Sequence, residues 1–463
     1  MKKQMFLILI VSIFFTFGCK NESNTSKDSI KLKSTKNSSN KKTAFISDFG
    51  DQPTIAKSSD NLIGVSFGKD ESIYYVESND NGDSFGEPVL VGNLEGLMLG
   101  YSSGPQIAIT MENIVISAPA KSGNLYAWSK SRIDDIWKGP FRINDVDKSA
   151  EECLSAITAT QDGQLFCTWI DTRFVEGGSL NTHTKSKKDK STIKTAEDLS
   201  VMTPIGITKK ELYDKIGDIP EGGNLAFHDD SKGNLLWVFK DGDGKVLKAE
   251  DYDAYKAFKK LNGERLKPQG KIYVSSSSDG GKTWSISNLV YQSPDGSVCE
   301  CCKPSIESNS KGEIAIMFRN NINGSRDLHY TKSVDNGNTF SEPQKMGSGT
   351  WEINGCPMDG GGLTSFDNGE FITTWQREGV IYTANSNLNE QFVGSGRTPS
   401  IASYNDEIKL VYTSGDDVMA VQGSNSPSEK IGTGSSPKVL STPDGAIYLW
   451  VNEEGIKFEK VNF

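Results

Sequence analysis

From residue 53 onward, short apolar runs recur in a fixed order. A segment of Pro-Ser-Ile-Ala character leads into a tight polar turn, then an apolar run of five to seven residues, a loop, a third run and a turn into a fourth. The opening segment occurs at Pro53-Thr54-Ile55-Ala56, Pro105-Gln106-Ile107-Ala108, Ser155-Ala156-Ile157-Thr158 and Asn224-Leu225-Ala226-Phe227. It returns at Pro304-Ser305-Ile306-Glu307, Gly362-Leu363-Thr364-Ser365, Pro399-Ser400-Ile401-Ala402 and Pro437-Lys438-Val439-Leu440. The second runs are 63–67, 114–118, 165–171, 235–240, 314–319, 371–376, 408–413 and 446–452. Each has the apolar character of a strand covered on both faces by neighbouring sheets. Four-stranded units that cannot bury both faces alone must stack radially, so the pattern predicts an all-β chain folded as a β-propeller with four-stranded blades. Eight units are counted, with six or seven blades as the alternative. The last unit ends on 456–461 without a fourth strand, and residues 43–47 are expected to supply it and latch the ring.

Composition agrees with many short strands: there are 46 glycines, 9% aromatic residues and frequent Asp-Gly and Asn-Gly turns. Residues 1–19 form a separate segment, Met1-Lys2-Lys3 followed by an apolar stretch too short for a comfortable membrane span. It reads as a secretion signal. Its end, Thr16-Phe17-Gly18-Cys19, resembles a bacterial lipoprotein box, which implies lipidation of Cys19 and attachment to the cell envelope, at the outer membrane or periplasm. Residues 20–43 are mostly Lys, Ser, Asn and Thr and read as a tether, leaving 44–463 as a single propeller domain. Residues 1–43 carry nine lysines against Glu22 and Asp28, a net of +7; since the whole chain is −10, the body carries −17. A body this acidic, with no basic stripe of interleaved aromatics, excludes nucleic acid as a partner class.

Three turns share one pattern: Ser78-Asn79-Asp80-Asn81-Gly82-Asp83-Ser84-Phe85, Ser277-Ser278-Asp279-Gly280-Gly281-Lys282-Thr283-Trp284 and 333–340. A decayed fourth spans 131–137. The Ser-x-Asp-x-Gly-x-Thr-Trp/Phe pattern resembles the Asp box (BNR repeat) of sialidases and related propellers. Its chemistry is local, because Ser and Asp tie the turn's own backbone and the aromatic plugs into the sheets.

In a propeller, blade-to-blade crossings and the loops after the second strands open on one face, and Asp boxes lie on the other. The crossing face receives Glu151, Glu152, Cys153, Asp171 and Arg173; Cys299, Cys301, Cys302, Arg319 and Asn320; and Trp351, Cys356, Met358, Asp359, Arg377 and Glu378. The sialidase resemblance implies that Arg173, Arg319 and Arg377 clamp a substrate carboxylate, with Asn320 and Trp351 beside them, since guanidinium forks suit carboxylates. It also implies an aspartate acid/base, Asp171 or Asp359, and a tyrosine–glutamate nucleophile, best matched by Tyr101 with Glu378 or Glu152. The chain departs from the family in lacking Arg-Ile-Pro in its first unit; Phe141-Arg142-Ile143-Asn144 falls elsewhere in the repeat.

Cys167 falls inside a second strand and reads as a buried thiol. Cys299, Cys301, Cys302 and Cys356 fall on one face of adjacent units. In an oxidising compartment they are expected to provide a disulfide between two crossings, with three pairings open; the alternative is a Cu or Zn site on the thiolates, and no other cofactor is expected. Residues 249–261 and 209–216 have helical spacing and would rim the mouth. Three functions follow as expectations: a cell-envelope protein that binds or hydrolyses acidic glycans, a non-catalytic envelope binding or assembly module with a disulfide-braced mouth, or a cysteine-based metal site.

Overall fold

The computed structural model describes residues 42–100, 102–174, 178–179, 224–229, 235–240, 246–248, 270–294, 297–353, 355–385, 389–423 and 426–462. All belong to the compact unit Asn40–Phe463. Seven antiparallel sheets of four strands form the ring. In chain order, blade I is Asp51–Lys57, Ile63–Lys69, Ser72–Ser78 and Val89–Asn93, and blade II is Gln106–Ile109, Asn113–Ala120, Asn124–Ser131 and Lys138–Arg142. Blade III is Ser155–Ala159, Leu165–Asp171, Lys271–Ser277 and Asn288–Tyr291; blade IV is Ser305–Ser308, Ile314–Arg319, Leu328–Ser333 and Gln344–Lys345. Blade V is Gly362–Ser365, Phe371–Arg377, Val380–Asn385 and Gln391–Ser395; blade VI is Arg397–Tyr404, Glu407–Ser414, Asp417–Val421 and Glu429–Thr433. Blade VII takes Ser435–Thr442, Gly445–Asn452 and Gly455–Asn462 from the end of the chain and Lys42–Ser47 from its start.

The count of eight is thus corrected to seven. The unit beginning at Asn224 is a separate three-stranded sheet, Asn224–Asp229, Leu235–Lys240 and Val246–Lys248, that pairs with none of the blades among the described residues. It is inserted between the second and third strands of blade III, whose Leu165–Asp171 pairs in register with Lys271–Ser277 across the gap. The insertion has the same apolar spacing as a blade, so spacing alone includes it; only the strand pairing excludes it. The 249–261 and 209–216 segments lie outside the described residues.

The latch expected from the sequence is present, with Thr43 opposite Glu459 and Phe45 opposite Lys457. Second strands are covered on both faces, as their composition requires: Leu165–Asp171 and Ile314–Arg319 are buried at every position. The sheets pack face to face around the ring. Ile63, Val65 and Phe67 of blade I meet Ile447, Leu449 and Phe458 of blade VII, and each other neighbouring pair shares a comparable apolar cluster. Seven inner strands touch in sequence and surround a central channel.

The turns 78–85, 277–284 and 333–340 also serve the joints between blades. In blade IV, Ser333 Oγ accepts a hydrogen bond from Gly337 N (2.9 Å), and Asp335 Oδ1 accepts one from Thr339 N (2.9 Å). This closed loop pushes Gly337 against Phe166 in the second strand of blade III, where an added Cβ would lie 2.8 Å from the ring. Gly82 makes the same approach to Ile447 of blade VII, and Gly281 to Val115 of blade II. The turn aromatics follow: Phe85 meets Phe458 edge-on at 5.0 Å, while the decayed turn of blade II keeps Trp137 against Tyr75 of blade I. Each motif bolts its blade to the preceding one.

Gly337→Ala and Gly312→Ala separate this bolt from simple backbone strain. Both glycines have positive φ, but nothing lies within 4 Å of a Cβ at Gly312. Both variants carry a left-handed alanine costing about 1–2 kcal/mol. Gly337→Ala must in addition displace Phe166, so thermal unfolding should show the larger drop in midpoint for it; equal drops would remove the inter-blade role.

Candidate functional site

The crossings and second-strand ends of blades III, IV and V hold all the described site residues proposed from sequence. Tyr101 and Cys19 lie outside the described residues. The three arginines occupy equivalent positions, at or just beyond the end of the second strand in consecutive blades, yet each is already engaged. Arg173 donates from Nε to Asp171 Oδ1 (2.8 Å), pairs with Asp145 through NH2 (2.8 Å) and stacks over Tyr273. Arg377 forms a two-pronged pair with Glu390 (2.7 and 2.5 Å) and lies over Tyr382. Arg319, 1% exposed, spends its guanidinium on the backbone carbonyls of Asp359, Arg326 and Gln376 and faces the Trp351 ring. None of the three lines the central channel.

The remaining candidates are similarly committed. Asp171 is completely buried and accepts hydrogen bonds from Trp169 Nε1 (2.8 Å), Ser149 Oγ (2.7 Å) and both N and Nε of Arg173. Such a saturated carboxylate orders the Trp-Ile-Asp-Thr-Arg strand end. Asn320 is also buried, donating to the Tyr291 hydroxyl (2.7 Å). Trp351 is 9% exposed with its backbone N–H on Asp327 Oδ1 (2.9 Å), so it packs against Arg319 and offers no open stacking face. Glu378 is exposed in the two-residue hairpin after the second strand of blade V, where Glu378 and Gly379 both have positive φ, a type I′ arrangement. Glu151 and Glu152, in the crossing into blade III, are pushed up to about 7 by burial, with Asp171 adding to Glu151 and Glu300 to Glu152.

Of the three disulfide pairings left open, Cys301–Cys356 is formed, with Cα atoms 6.3 Å apart. It ties the crossing into blade IV to the crossing into blade V. These crossings also meet at Gly360, where a Cβ would fall on the Lys303 carbonyl oxygen, so only glycine permits the approach. Cys299 and Cys302 remain free and buried beside the disulfide. Cys167 is a buried thiol within its strand, as expected.

A second group of charged residues lies elsewhere, in the channel mouth. A cavity of about 230 Å³ is enclosed by the leading ends of all seven inner strands, among them Gln52, Gln106, Lys303, Asp359, Thr398 and Lys438. Lys303 Nζ donates to Gln106 Oε1 and Lys438 Nζ to the Pro437 carbonyl (3.2 Å); among the described residues neither forms an ion pair. Burial pulls Lys303 down to about 7, aided by the charge of Lys438, and burial pulls Lys438 down to about 8 against the opposing charge of Asp359. Asp359 is raised by burial while accepting hydrogen bonds from Thr398 N (2.8 Å) and Gly361 N (3.4 Å). Of the described residues proposed from sequence, Asp359 alone reaches this cavity. The two lysines stand at the opening segments of inner strands, Lys303 just before Ser305–Ser308 and Lys438 within Ser435–Thr442, and not in the loops that hold the other candidates. The signal was available: alternate positions of an inner strand must face the channel.

No family model matches the chain, and no curated protein sequence matches it. Solved structures do resemble it in outline. They include the NanB sialidase of Streptococcus pneumoniae in its K499G form (12% identity, 90% of this chain and 68% of that chain, TM-score 0.39). The intramolecular trans-sialidase of Ruminococcus gnavus covers 90% and 94% at 11% identity (TM-score 0.40), and virginiamycin B lyase from Staphylococcus aureus 91% and 99% at 10% (TM-score 0.44).

The buried glutamates set a pH test. A carboxyl held at about 7 when folded and near 4.5 when unfolded binds more protons in the folded state between those values, so its contribution to stability falls as pH rises through that window. Glu152→Gln removes this loss. Its unfolding midpoint should gain on the parent's between pH 5 and 8; a constant difference across that range would contradict the burial of a titrating carboxyl at this position.

Proposed function

We propose that the protein is a non-hydrolytic binding propeller that holds a carboxylate-bearing sugar in the mouth of its central channel. On this reading it is carried to the bacterial envelope by the leader and anchored through a lipid on Cys19. The observation that carries the reading is the pair of lysines, Lys303 and Lys438, that line one cavity with neither in an ion pair among the described residues. Two ammonium groups lining one cavity favour an anion, and Asp359, Gln52 and Gln106 supply the acceptors and donors that sugar hydroxyls require. A cavity of about 230 Å³ suits one monosaccharide unit better than an extended chain. The Asp-box resemblance to sialidases agrees with an acidic sugar as ligand. Against hydrolysis stand the saturated Asp171 and the three arginines, Arg173 and Arg377 held in ion pairs and Arg319 on backbone carbonyls.

The test is binding of N-acetylneuraminic acid and glucuronic acid by the full chain, measured calorimetrically, alongside a fluorogenic sialoside assay. Binding without turnover is expected. Loss of one charged contact weakens binding by about ten- to a hundredfold, so Lys303→Gln and Lys438→Gln should each do so while Arg377→Ala does not. Affinity should also fall as pH rises from 6 to 9, because the ammonium forms of Lys303 and Lys438 are lost near 7 and 8. Turnover of the sialoside, or binding indifferent to both lysine substitutions, would overturn the proposal.

A further inference from the structure

Next to the channel mouth, sulfur atoms from one short turn converge. Cys299, Glu300, Cys301 and Cys302 form a tight bend closed by a hydrogen bond from Cys302 N to the Cys299 carbonyl (3.2 Å), and Cys299 N is itself fixed to the Arg319 carbonyl (2.9 Å). The bend points three side chains inward. Cys299 Sγ lies 3.6 Å from Cys301 Sγ and 3.5 Å from Cys302 Sγ, and the latter two are 3.8 Å apart. Cys356 Sγ, bonded to Cys301, adds a fourth sulfur at the same point.

These separations have a chemical meaning. Four thiolates placed tetrahedrally at about 2.3 Å from a zinc ion lie about 3.8 Å from one another. The three sulfurs of the bend already approximate one face of that tetrahedron, and Cys299-x-x-Cys302 has the spacing at which a tight turn commonly presents two thiolates to one ion. We propose that, once the Cys301–Cys356 disulfide is reduced, Cys299, Cys301, Cys302 and Cys356 bind a single thiophilic d10 ion, Zn(II) or Cu(I).

The surroundings suit an anionic cluster. The guanidinium charges of Arg319 and Arg326 both act on Cys299, and that of Arg319 acts on Cys302 against the charge of Asp359, so part of the excess thiolate charge is offset. Arg326 Nε is buried with no hydrogen-bond partner, a donor left over in the apo arrangement. Cys299 and Cys302 are closed off from solvent, whereas Cys356 is exposed, giving the ion and the reductant a way in. The all-sulfur donor set, free of imidazole and carboxylate, selects soft ions over magnesium or calcium.

The two states are related by a balanced exchange. A dithiol reductant transfers two electrons and two protons to the Cys301–Cys356 bond, becomes a disulfide itself and leaves two thiols. The ion then displaces thiol protons to solvent, with no further electron transfer. The oxidised form braces the two crossings; the reduced form lets the ion brace them instead.

The inference is independent of sugar binding and is tested on the full chain. Protein reduced with dithiothreitol and desalted anaerobically is loaded with Zn(II) in one arm and Cu(I) in the other, then challenged with a chromogenic chelator. Retention of one equivalent of either ion, and weaker retention by oxidised protein, supports the site and identifies the metal. Cys299→Ser and Cys302→Ser leave the disulfide cysteines intact, so their folding can be verified in the oxidised state; each should lower retention by about ten- to a hundredfold, while Cys153→Ser should not change it. Release of both ions as fast as from a protein-free blank, or retention unaltered in Cys302→Ser, would overturn it.

Discussion

Everything on the crossing face depends on closing a ring of seven blades, none of which can bury both its surfaces alone. The closing contact is Lys42–Ser47 pairing with Gly455–Asn462, which gives blade VII its fourth strand from the opposite end of the chain. The same joint is fastened from below, where Phe85 of the first Asp-box turn meets Phe458, and where Lys460 Nζ pairs with both Asp83 and Asp444 at 2.9 Å. Without closure the inner strands do not converge, and the channel mouth with its two lysines does not exist. The latch and the bolts are thus the physical origin of the site, although they contribute no residue to it.

Much of this architecture was legible from apolar spacing. Strand order, the double-sided burial of the second strands and the latch all follow from one repeating template, because each is a consequence of burying both faces of a sheet. Blade number was not legible. The segment from Asn224 imitates a blade in spacing, and nothing local distinguishes an inserted sheet from a member of the ring. That distinction lives in the long-range pairing of Leu165–Asp171 with Lys271–Ser277.

The site divided along the same line. Placement of residues on the crossing face is a matter of topology and was readable; their partners are not. Arg377 is spoken for by Glu390 and Arg173 by Asp145, contacts that join different strands and loops and leave no mark in the sequence around either arginine. Arg319 shows the difference most sharply, since a guanidinium that could have gripped a carboxylate instead holds three backbone carbonyls together under Trp351. The cysteines were legible as a cluster, and their pairing was settled only by which sulfurs meet. What remained outside any ion pair among the described residues was the pair of lysines in the channel mouth, Lys303 and Lys438, with Asp359 on the same cavity wall.

The central claim is that the acidic ligand is held by the channel mouth and not by the arginines above it. A crystal structure of the protein soaked at pH 6 with N-acetylneuraminic acid tests this directly. The sugar carboxylate is expected within hydrogen-bonding distance of Lys303 and Lys438 Nζ, with Arg173 and Arg377 unmoved in their ion pairs and Arg319 on its backbone carbonyls. A carboxylate gripped by those arginines, with Glu390 and Asp145 displaced, would contradict it.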